Sequence, residues 1–197
     1  MPAWNVFNEA ARELKSAGID FVLCGGIAVS VYGRQRETTD VDFLVREQDV
    51  DRALEVLGKA GFTIKRTDTR WLFQAFRNGV KVDLIFEAMG AVRLTPEVEA
   101  HTRERELGGF IYKVIAPEDL LIMKAHSLSE ERSRDLFDAL SILKRMNGQL
   151  DWNYLITRSR PRVRRMLGLL FIAQSDPEIG VFVPDWVIHR LLAYLPD

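Results

Sequence analysis

Hydrophobic residues recur along this chain with two different periods, and the changes of period mark its elements. At residues 4–17 and 49–60 apolar side chains return every three or four positions, which predicts two amphipathic helices, and residues 27–32 predict a third, shorter one. Short apolar or alternating runs predict strands at residues 21–24, 40–44, 62–65, 71–76, 80–86 and 109–115. The pair Asn78-Gly79 is typical of a tight β-hairpin turn between two of these strands.

The second part of the chain shows only the helical period. A helix begins at Pro117, and others are predicted at residues 129–146, 151–157, 162–173 and 184–195. Residues 87–96 are predicted as a loop and residues 97–105 as a short polar helix or a connector. The order of elements predicts an α/β (α+β) protein. Its core, residues 1–116, has a mixed, twisted sheet with helices on one face, and residues 117–197 form a helical region.

A glycine pair, Gly25-Gly26, separates the first strand from the short helix. Glycine permits the tight backbone that a strand-to-helix turn needs. The first N–H groups of a helix lack internal partners and lie at the positive end of its dipole, so this turn can bind a phosphate group. Ser30 lies one helical turn further on, where it either takes part in this binding or bonds to its own backbone.

Two carboxylates follow on the next predicted strand. Asp40 and Asp42 alternate with Val41 and Phe43, so both acids point to one face of the strand and the apolar residues point to the core. Like charges this close repel each other, and a shared divalent cation is the natural reason to tolerate the repulsion. Carboxylate oxygens suit magnesium that bridges to nucleotide phosphates. The sequence therefore predicts a magnesium and phosphate site here.

Composition excludes several classes of protein. With 47% hydrophobic and 28% charged residues, the 197-residue chain is predicted to fold around a substantial core. No run approaches the roughly 20 apolar residues of a membrane span, and charged residues within residues 1–14 argue against a secretory signal, so we expect a cytoplasmic protein without a membrane partner. The single cysteine, Cys24, is predicted as a small core residue. The net charge of −1 means that nucleic-acid binding would need a local basic patch.

The motifs occur in an order that resembles a known family. A Gly-Gly turn, a short helix, an Arg-x-Thr-x-Asp-x-Asp strand from Arg36 to Asp42, and a later strand with Asp83 are similar to the polymerase-beta nucleotidyltransferase superfamily. Within it the chain most resembles small bacterial members, including the nucleotidyltransferase toxins of abortive-infection systems, over roughly its first 145 residues. The resemblance implies the nucleotidyltransferase fold.

The resemblance also implies a site. Its catalytic and metal-binding residues are Asp40, Asp42 and Asp83, its cofactor is Mg²⁺ or Mn²⁺, and its substrate is a nucleoside triphosphate such as ATP. Without the two earlier aspartates, Asp83 would be read as a solvent-facing strand residue. The implied nucleotide-binding residues are Gly25, Gly26, Ser30, Arg36 and Lys124. For Arg34 and Arg36 three readings stay open: contact with a phosphate, orientation of a carboxylate, or a solvated loop.

Lys124 lies in a stretch that is apolar almost all round, residues 120–125. This position predicts either an anionic partner or a buried stem whose charged end reaches water. Asp135 and Asp138 share one face of the next predicted helix. Similar small nucleotidyltransferases carry a lysine followed by an arginine and two aspartates here, so the resemblance implies that Lys124 binds triphosphate and that the two aspartates support the site.

The densest basic stretch has five arginines in eight residues: Arg158, Arg160, Arg162, Arg164 and Arg165. Arginine pairs bidentately with phosphate, which favours contact with RNA or another polyanion. A solvated connector is the alternative interpretation of this stretch.

The expected reaction is a metal-dependent transfer of a nucleoside monophosphate from a nucleoside triphosphate to a hydroxyl acceptor. The resemblance implies RNA, above all transfer RNA, or protein as the acceptor, and for a toxin it implies a cognate antitoxin as a partner. One alternative is a small-molecule nucleotidyltransferase of the aminoglycoside type, whose acceptor pocket would be acidic. The other is a non-catalytic nucleotide-binding or partner module of the same fold.

Overall fold

The structure is a computed structural model that describes residues 2–35 and 37–195. The chain divides into two compact units. The first comprises the described residues of 1–28 and 36–116, and the second comprises those of 29–35 and 117–197. The expected fold class, a mixed sheet with helices followed by a helical region, is confirmed.

The first unit is built on a seven-stranded mixed sheet. Its strands are β1 (Phe21–Cys24), β2 (Asp40–Val45), β3 (Thr63–Asp68), β4 (Leu72–Arg77), β5 (Val80–Ile85), β6 (Arg103–Leu107) and β7 (Phe110–Val114). Their order across the sheet is β3-β4-β5-β2-β1-β7-β6. β2 runs parallel to β5 and β1 runs parallel to β7, whereas the other neighbouring pairs are antiparallel.

Helices cover the apolar face of this sheet. Those that belong to the first unit are α1 (Pro2–Ser16), α3 (Val50–Lys59) and α4 (Pro96–Ala100), and α2 (Gly25–Tyr32) begins in it. α1 and α3 contact each other and β5, and α3 also contacts β4. Trp4 of α1 packs against Tyr112, and Tyr112 packs against Phe43 of β2. Since side chains alternate along a strand, Asp42 points to the face opposite this core.

The predicted hairpin is confirmed. Asn78 and Gly79 join β4 to β5, and both have positive φ angles, of 51° and 75°. This conformation matches the right-handed twist of the two strands. The turn fixes the register of the hairpin, which places Asp83 on β5 beside β2.

The prediction of a short polar helix or a connector for residues 97–105 was wrong for residues 103–105, which belong to a strand. α4 is followed by an edge strand, β6, which begins at Arg103 and pairs with β7. The sequence Arg-Glu-Arg-Glu-Leu lacks hydrophobic alternation because most of this strand is exposed. Its structure comes from pairing across the turn at Gly108 and Gly109, both of which have positive φ angles.

The second unit is helical. Its helices are α5 (Pro117–Ser127), α6 (Arg134–Met146), α7 (Trp152–Ser159), α8 (Val163–Ser175) and α9 (Asp185–Leu192). α5 is buried almost all round and contacts α6, α7 and α8. In the part of the chain that the structure describes, none of the helices has the length and apolar character that crossing a membrane requires.

Candidate active site

Two neighbouring strands carry the three predicted catalytic aspartates. In the parallel pair of β2 and β5, Asp42 lies opposite Asp83 and Asp40 lies opposite Lys81. Residues opposite each other on paired strands point to the same face of a sheet. The three carboxylates therefore share the face opposite the core formed by α1 and α3. Asp83 is buried, and the other two aspartates are partly buried.

Lys81 bridges two of these carboxylates. Its Nζ lies 2.6 Å from Asp83 Oδ2 and 3.1 Å from Asp40 Oδ2. Each carboxylate also accepts a second hydrogen bond. Gln74 Nε2 donates to Asp83 Oδ1 at 2.8 Å, and the Thr38 hydroxyl donates to Asp40 Oδ1. These contacts fix the orientation of both carboxylates.

The third carboxylate, that of Asp42, lies against the glycine turn. The backbone N–H of Gly26 donates a hydrogen bond to it. Gly25 has a φ angle of +60°, and a Cβ atom added there would lie 1.9 Å from Asp42 Oδ2. Both the backbone conformation and the lack of space therefore require glycine at this position. The turn contacts Asp42 directly, and its binding of phosphate stays a prediction.

Negative charge is unevenly compensated at this site. Burial, followed by the charges of Asp40 and Asp83, raises the pKa of Asp42 to about 6. Burial also acts to raise the pKa of Asp40, but hydrogen bonds from Thr38 and Lys81 outweigh it, so this pKa is lowered. Burial acts to lower the pKa of Lys81, but its bonds to Asp83 and Asp40 prevail and raise it. Asp42 thus carries the charge that the lysine does not neutralise.

The donor set fits a divalent cation. Three aspartate carboxylates supply the hard oxygen ligands that Mg²⁺ and Mn²⁺ prefer. The ammonium group of Lys81 stands between two of these carboxylates and compensates their charge, and metal binding at this place stays a prediction. Among residues 2–35 and 37–195, no three His, Cys, Asp or Glu side chains are arranged as a ready-made metal site. The carboxylates of Asp40 and Asp83 are ordered around Lys81 and not around an open coordination position.

Other predicted residues of the site lie in the second unit. Lys124 is buried, and its Nζ lies 2.5 Å from Asp135 Oδ1 and 3.0 Å from Asp138 Oδ2. Of the two alternatives for this lysine, the structure thus has the anionic partner. Ser30 lies on α2, where its carbonyl oxygen accepts a hydrogen bond from Gln35 Nε2 at 2.9 Å. The roles of Lys124 and Ser30 in binding triphosphate stay predictions.

Of the two loop arginines, Arg34 and Arg36, the structure describes only Arg34. Arg36, a predicted nucleotide contact, lies outside the described residues. Arg34 orients a carboxylate, because its Nη2 lies 2.8 Å from Asp138 Oδ1. On the other side of Lys124, Arg132 Nε lies 2.8 Å from Asp135 Oδ2. Three cations and two carboxylates therefore form one network within the second unit.

The clustered arginines separate into two groups. Arg158 is mostly buried, and its Nε donates to Asp119 Oδ1 at 3.0 Å, so its charge is engaged within the helical unit. The other four arginines are exposed. They line a groove of about 370 Å³, here called the arginine groove, whose lining residues are His126, Arg160, Pro161, Arg162, Val163, Arg164, Arg165 and Tyr194.

The arginine groove is positively charged, and none of its lining residues in the described part of the chain is acidic. Arg160 lies over the ring of Tyr194, 4.4 Å from its centroid, and Arg165 Nη1 donates to a backbone carbonyl. Within the described residues, neither Arg162 nor Arg164 has a carboxylate at ion-pair distance. Burial, followed by the charges of Arg162 and Arg165, lowers the pKa of His126. Arg162 and Arg164 thus offer cationic groups that no carboxylate among residues 2–35 and 37–195 neutralises by an ion pair.

Sequence reasoning missed Lys81, Gln74 and Thr38 as partners of the aspartates. The signal for two of them is the register of the hairpin. A two-residue turn at Asn78-Gly79 pairs position 77 with 80, and hence Gln74 with Asp83. Lys81 lies two positions before Asp83 and so shares its face of the strand. The hydrogen bond from Thr38 has no comparable signal in the sequence.

Comparison with known proteins agrees with this geometry. No curated protein matches the sequence significantly. Among solved structures, the chain is similar to an antigenic nucleotidyltransferase-like protein from Paracoccidioides brasiliensis, with 17% identity, a TM-score of 0.60, and coverage of 95% of this chain and 96% of that one. It is also similar to the antibiotic-resistance factor ANT(2'')-Ia, with 10% identity, a TM-score of 0.53, and coverage of 71% and 83%. At these identities the likeness shows the fold.

The family is shown by a match over most of the sequence. The model of the family described as nucleotidyl transferase of unknown function (DUF2204) matches residues 3–162. This range contains the glycine turn, the three aspartates and Lys124. The chain therefore belongs to this nucleotidyl transferase family and is an enzyme of the nucleotidyltransferase type.

Proposed function

We propose that the protein transfers a nucleoside monophosphate from a nucleoside triphosphate to a hydroxyl acceptor, with Asp40, Asp42 and Asp83 as the metal-binding and catalytic residues. The observation that carries this proposal is the convergence of the three carboxylates on one face of β2 and β5, next to the glycine turn. A solvent-facing role does not account for Asp83, because its side chain is buried and accepts bonds from Gln74 and Lys81.

The aspartates and the glycine turn have different roles in the proposed reaction. Asp40, Asp42 and Asp83 would hold a divalent cation, which when bound would neutralise phosphate charge and lower the pKa of the attacking hydroxyl. Gly26 orients Asp42 through its N–H group, and the absence of a side chain at Gly25 leaves the space that this carboxylate occupies. Catalysis of this kind depends mainly on positioning and electrostatics.

The bond changes in this transfer balance without a further reactant. The acceptor oxygen attacks the α-phosphorus, and an oxygen–phosphorus bond forms. The bond between the α-phosphorus and the bridging oxygen breaks, and pyrophosphate leaves. Asp83 takes the hydroxyl proton. Ser30, Arg36 and Lys124 remain the residues predicted to neutralise the triphosphate, with Asp135 and Asp138 as supporting residues that hold the ammonium of Lys124.

The acceptor we favour is RNA, in particular transfer RNA, ahead of protein. The support is the arginine groove, where four arginines are exposed and none of the described lining residues is acidic. Phosphodiester groups pair well with guanidinium groups, whereas an aminoglycoside-type acceptor is cationic and would favour acidic groups. A role as a toxin with a cognate antitoxin belongs to the same proposal and follows from the resemblance of the sequence.

A small-molecule acceptor is the second candidate. ANT(2'')-Ia, described as an antibiotic-resistance factor, shares the fold at 10% identity. The arginine groove argues against a cationic antibiotic as the acceptor. A non-catalytic module is the third candidate, and the presence of all three aspartates on one sheet face argues against it.

A labelling experiment tests the function and separates the acceptors. The protein is incubated with Mg²⁺ and each nucleoside triphosphate, labelled at either the α- or the γ-phosphate, together with total RNA, total protein or aminoglycosides. We expect the α-label, and not the γ-label, to enter RNA, and Asp83→Asn to abolish the transfer. If only the aminoglycosides became labelled, the acceptor would be a small molecule and not RNA. No transfer of the α-label to any acceptor would contradict the proposal.

A further inference from the structure

We propose that Lys81 is a positioning residue that acts as the internal counter-ion of the metal-free site and gives up this place when a divalent cation arrives together with nucleotide. Loading of the metal would then depend on the nucleotide. The inference rests on the proposed function, because it takes the aspartates to be metal ligands. It adds to that function that Lys81 makes metal binding depend on bound nucleotide.

The contacts of Lys81 carry the inference. Its single ammonium group reaches two of the three carboxylates, at 2.6 and 3.1 Å. A divalent cation that uses both Asp40 and Asp83 would need the carboxylate oxygens that the ammonium group contacts, namely the Oδ2 atoms of both residues. The lysine and the cation therefore compete for the same atoms.

The position of Lys81 allows it to move. Its side chain is 33% exposed, so the ammonium group reaches the surface from a flexible four-carbon stem. Asp83, in contrast, is held by Gln74 on its other oxygen, and Asp40 by Thr38. The carboxylates thus keep their orientation when the lysine leaves, and the site does not have to refold to accept a cation.

Nucleotide gives the displaced lysine a new partner. A metal ion alone must break two ion pairs and leave the ammonium group without a counter-ion near the site. A metal ion bound to a triphosphate brings several phosphate oxygens, to which a lysine at the edge of the site can turn. Metal and nucleotide should therefore bind with positive coupling, and the coupling should depend on the charge at position 81.

The test measures free Mn²⁺ by electron paramagnetic resonance in titrations of the full chain, with and without nucleoside triphosphate. Lys81→Gln should bind Mn²⁺ without nucleotide about tenfold more tightly than the parent. The reason is that the variant lacks the ammonium group that lies 3.1 Å from Asp40 and 2.6 Å from Asp83. The increase in affinity on adding nucleotide should be smaller in this variant than in the parent. Lys81→Arg keeps the charge and should keep the weak binding.

A second readout separates competition from a purely structural role. In EDTA, Lys81→Gln should lower the melting temperature, since Asp40 and Asp83 lose the ammonium group that bridges them, and Mn²⁺ should restore it. The matched control is Lys113→Gln, which removes a strand lysine that is paired with Glu99, away from the three aspartates. This control should change neither the affinity for Mn²⁺ nor its effect on the melting temperature.

The outcomes distinguish this inference from the function on which it rests. If Lys81→Gln binds Mn²⁺ no more tightly than the parent, while Asp42→Asn weakens binding in the presence of nucleotide, Lys81 does not compete and only this inference is overturned. If Asp42→Asn leaves Mn²⁺ binding unchanged with nucleotide present, the aspartates are not the metal ligands, and both proposals fail.

Discussion

A methyl group added at Gly25 would meet the carboxylate of Asp42 at 1.9 Å, and the φ angle of +60° would strain any side chain there. We expect Gly25→Ala to lower the free energy of unfolding by at least about 2 kcal/mol, since it combines left-handed strain with overlap. Gly79→Ala is the control, because Gly79 has a φ angle of +75° and an added Cβ meets nothing within 4 Å. The difference between the two variants in the free energy of unfolding, measured with urea, gives the cost of the overlap with Asp42. Equal losses of stability in both variants would contradict the close contact.

Asp42 carries an unfavourable charge in the metal-free protein. Its folded-state pKa of about 6 lies above the ordinary aspartate pKa of 3.8, so the folded state holds the proton more tightly than the unfolded state does. Ionised Asp42 thus reduces stability increasingly as pH rises from about 4 to about 6. In EDTA at pH 7.5, Asp42→Asn should raise the free energy of unfolding by about 1–3 kcal/mol, and this gain should vanish below pH 4.

The control for this prediction is Asp51→Asn, which removes an exposed carboxylate paired with Arg66. Its effect should stay within about 1 kcal/mol, without a gain at pH 7.5. A loss of stability in Asp42→Asn at both pH 4 and pH 7.5 would show that the carboxylate stabilises the metal-free fold, contrary to this account.

At the residue scale, the sequence predicts which side chains share a face but not which atoms they contact. Alternation with Val41 and Phe43 places Asp40 and Asp42 on one side of β2, as the structure has them. The same alternation places Lys81 beside Asp83, yet it does not reveal that the ammonium group spans two strands. That contact depends on β2 and β5 being neighbours, which is a property of the sheet topology.

The helix α5 shows how an element can depend on a buried charge network. Lys124 lies between Asp135 and Asp138, both buried. Removing one partner of a buried ion pair leaves uncompensated charge, which costs about 3–5 kcal/mol. We expect Lys124→Met to destabilise the protein by about 3 kcal/mol or more, measured by urea unfolding without nucleotide.

Lys144→Met provides the comparison for Lys124→Met. Lys144 pairs with Glu178 at the surface, so its loss should cost no more than about 1 kcal/mol. If Lys124→Met were as stable as Lys144→Met, the network would contribute nothing to the fold, and binding of triphosphate would be the remaining reason for a buried lysine at this position.

Among the elements, those with a buried face were predictable and the exposed edge strand was not. β2 and β5 carry apolar residues on one face, so their period is visible in the sequence. β6 consists mainly of charged residues because the core does not constrain it, and its strand structure comes from pairing with β7 across Gly108 and Gly109. A glycine pair between two alternating segments is a hairpin signal, but here one of the segments does not alternate.

For the whole molecule, net charge hides a strong local asymmetry. The chain has a net charge of −1, yet four arginines line the arginine groove, and no acidic residue from 2–35 or 37–195 lines it with them. If these arginines contact phosphates, each lost contact should reduce the slope of log affinity against log salt by roughly 0.7 to 0.9. Arg162→Ala/Arg164→Ala should therefore weaken RNA binding and flatten the salt dependence, as measured by filter binding at several salt concentrations.

The matched control for the groove is Arg66→Ala/Arg70→Ala. It removes the same charge from exposed arginines that are paired with Asp51 and Asp68. This variant should keep the salt slope of the parent, and both double variants should keep its melting temperature within a few degrees. An unchanged slope in Arg162→Ala/Arg164→Ala would remove the groove from the proposed acceptor surface.

The central claim is that the three aspartates on β2 and β5 bind a divalent cation together with a nucleoside triphosphate. Calorimetric titration of Mg²⁺ into the protein with each nucleoside triphosphate present tests it most directly, with Asp42→Asn beside the parent and Asp51→Asn as the control. We expect binding to the parent and to Asp51→Asn, and a loss of about tenfold or more in Asp42→Asn. Equal Mg²⁺ affinity in the parent and in Asp42→Asn would contradict the claim.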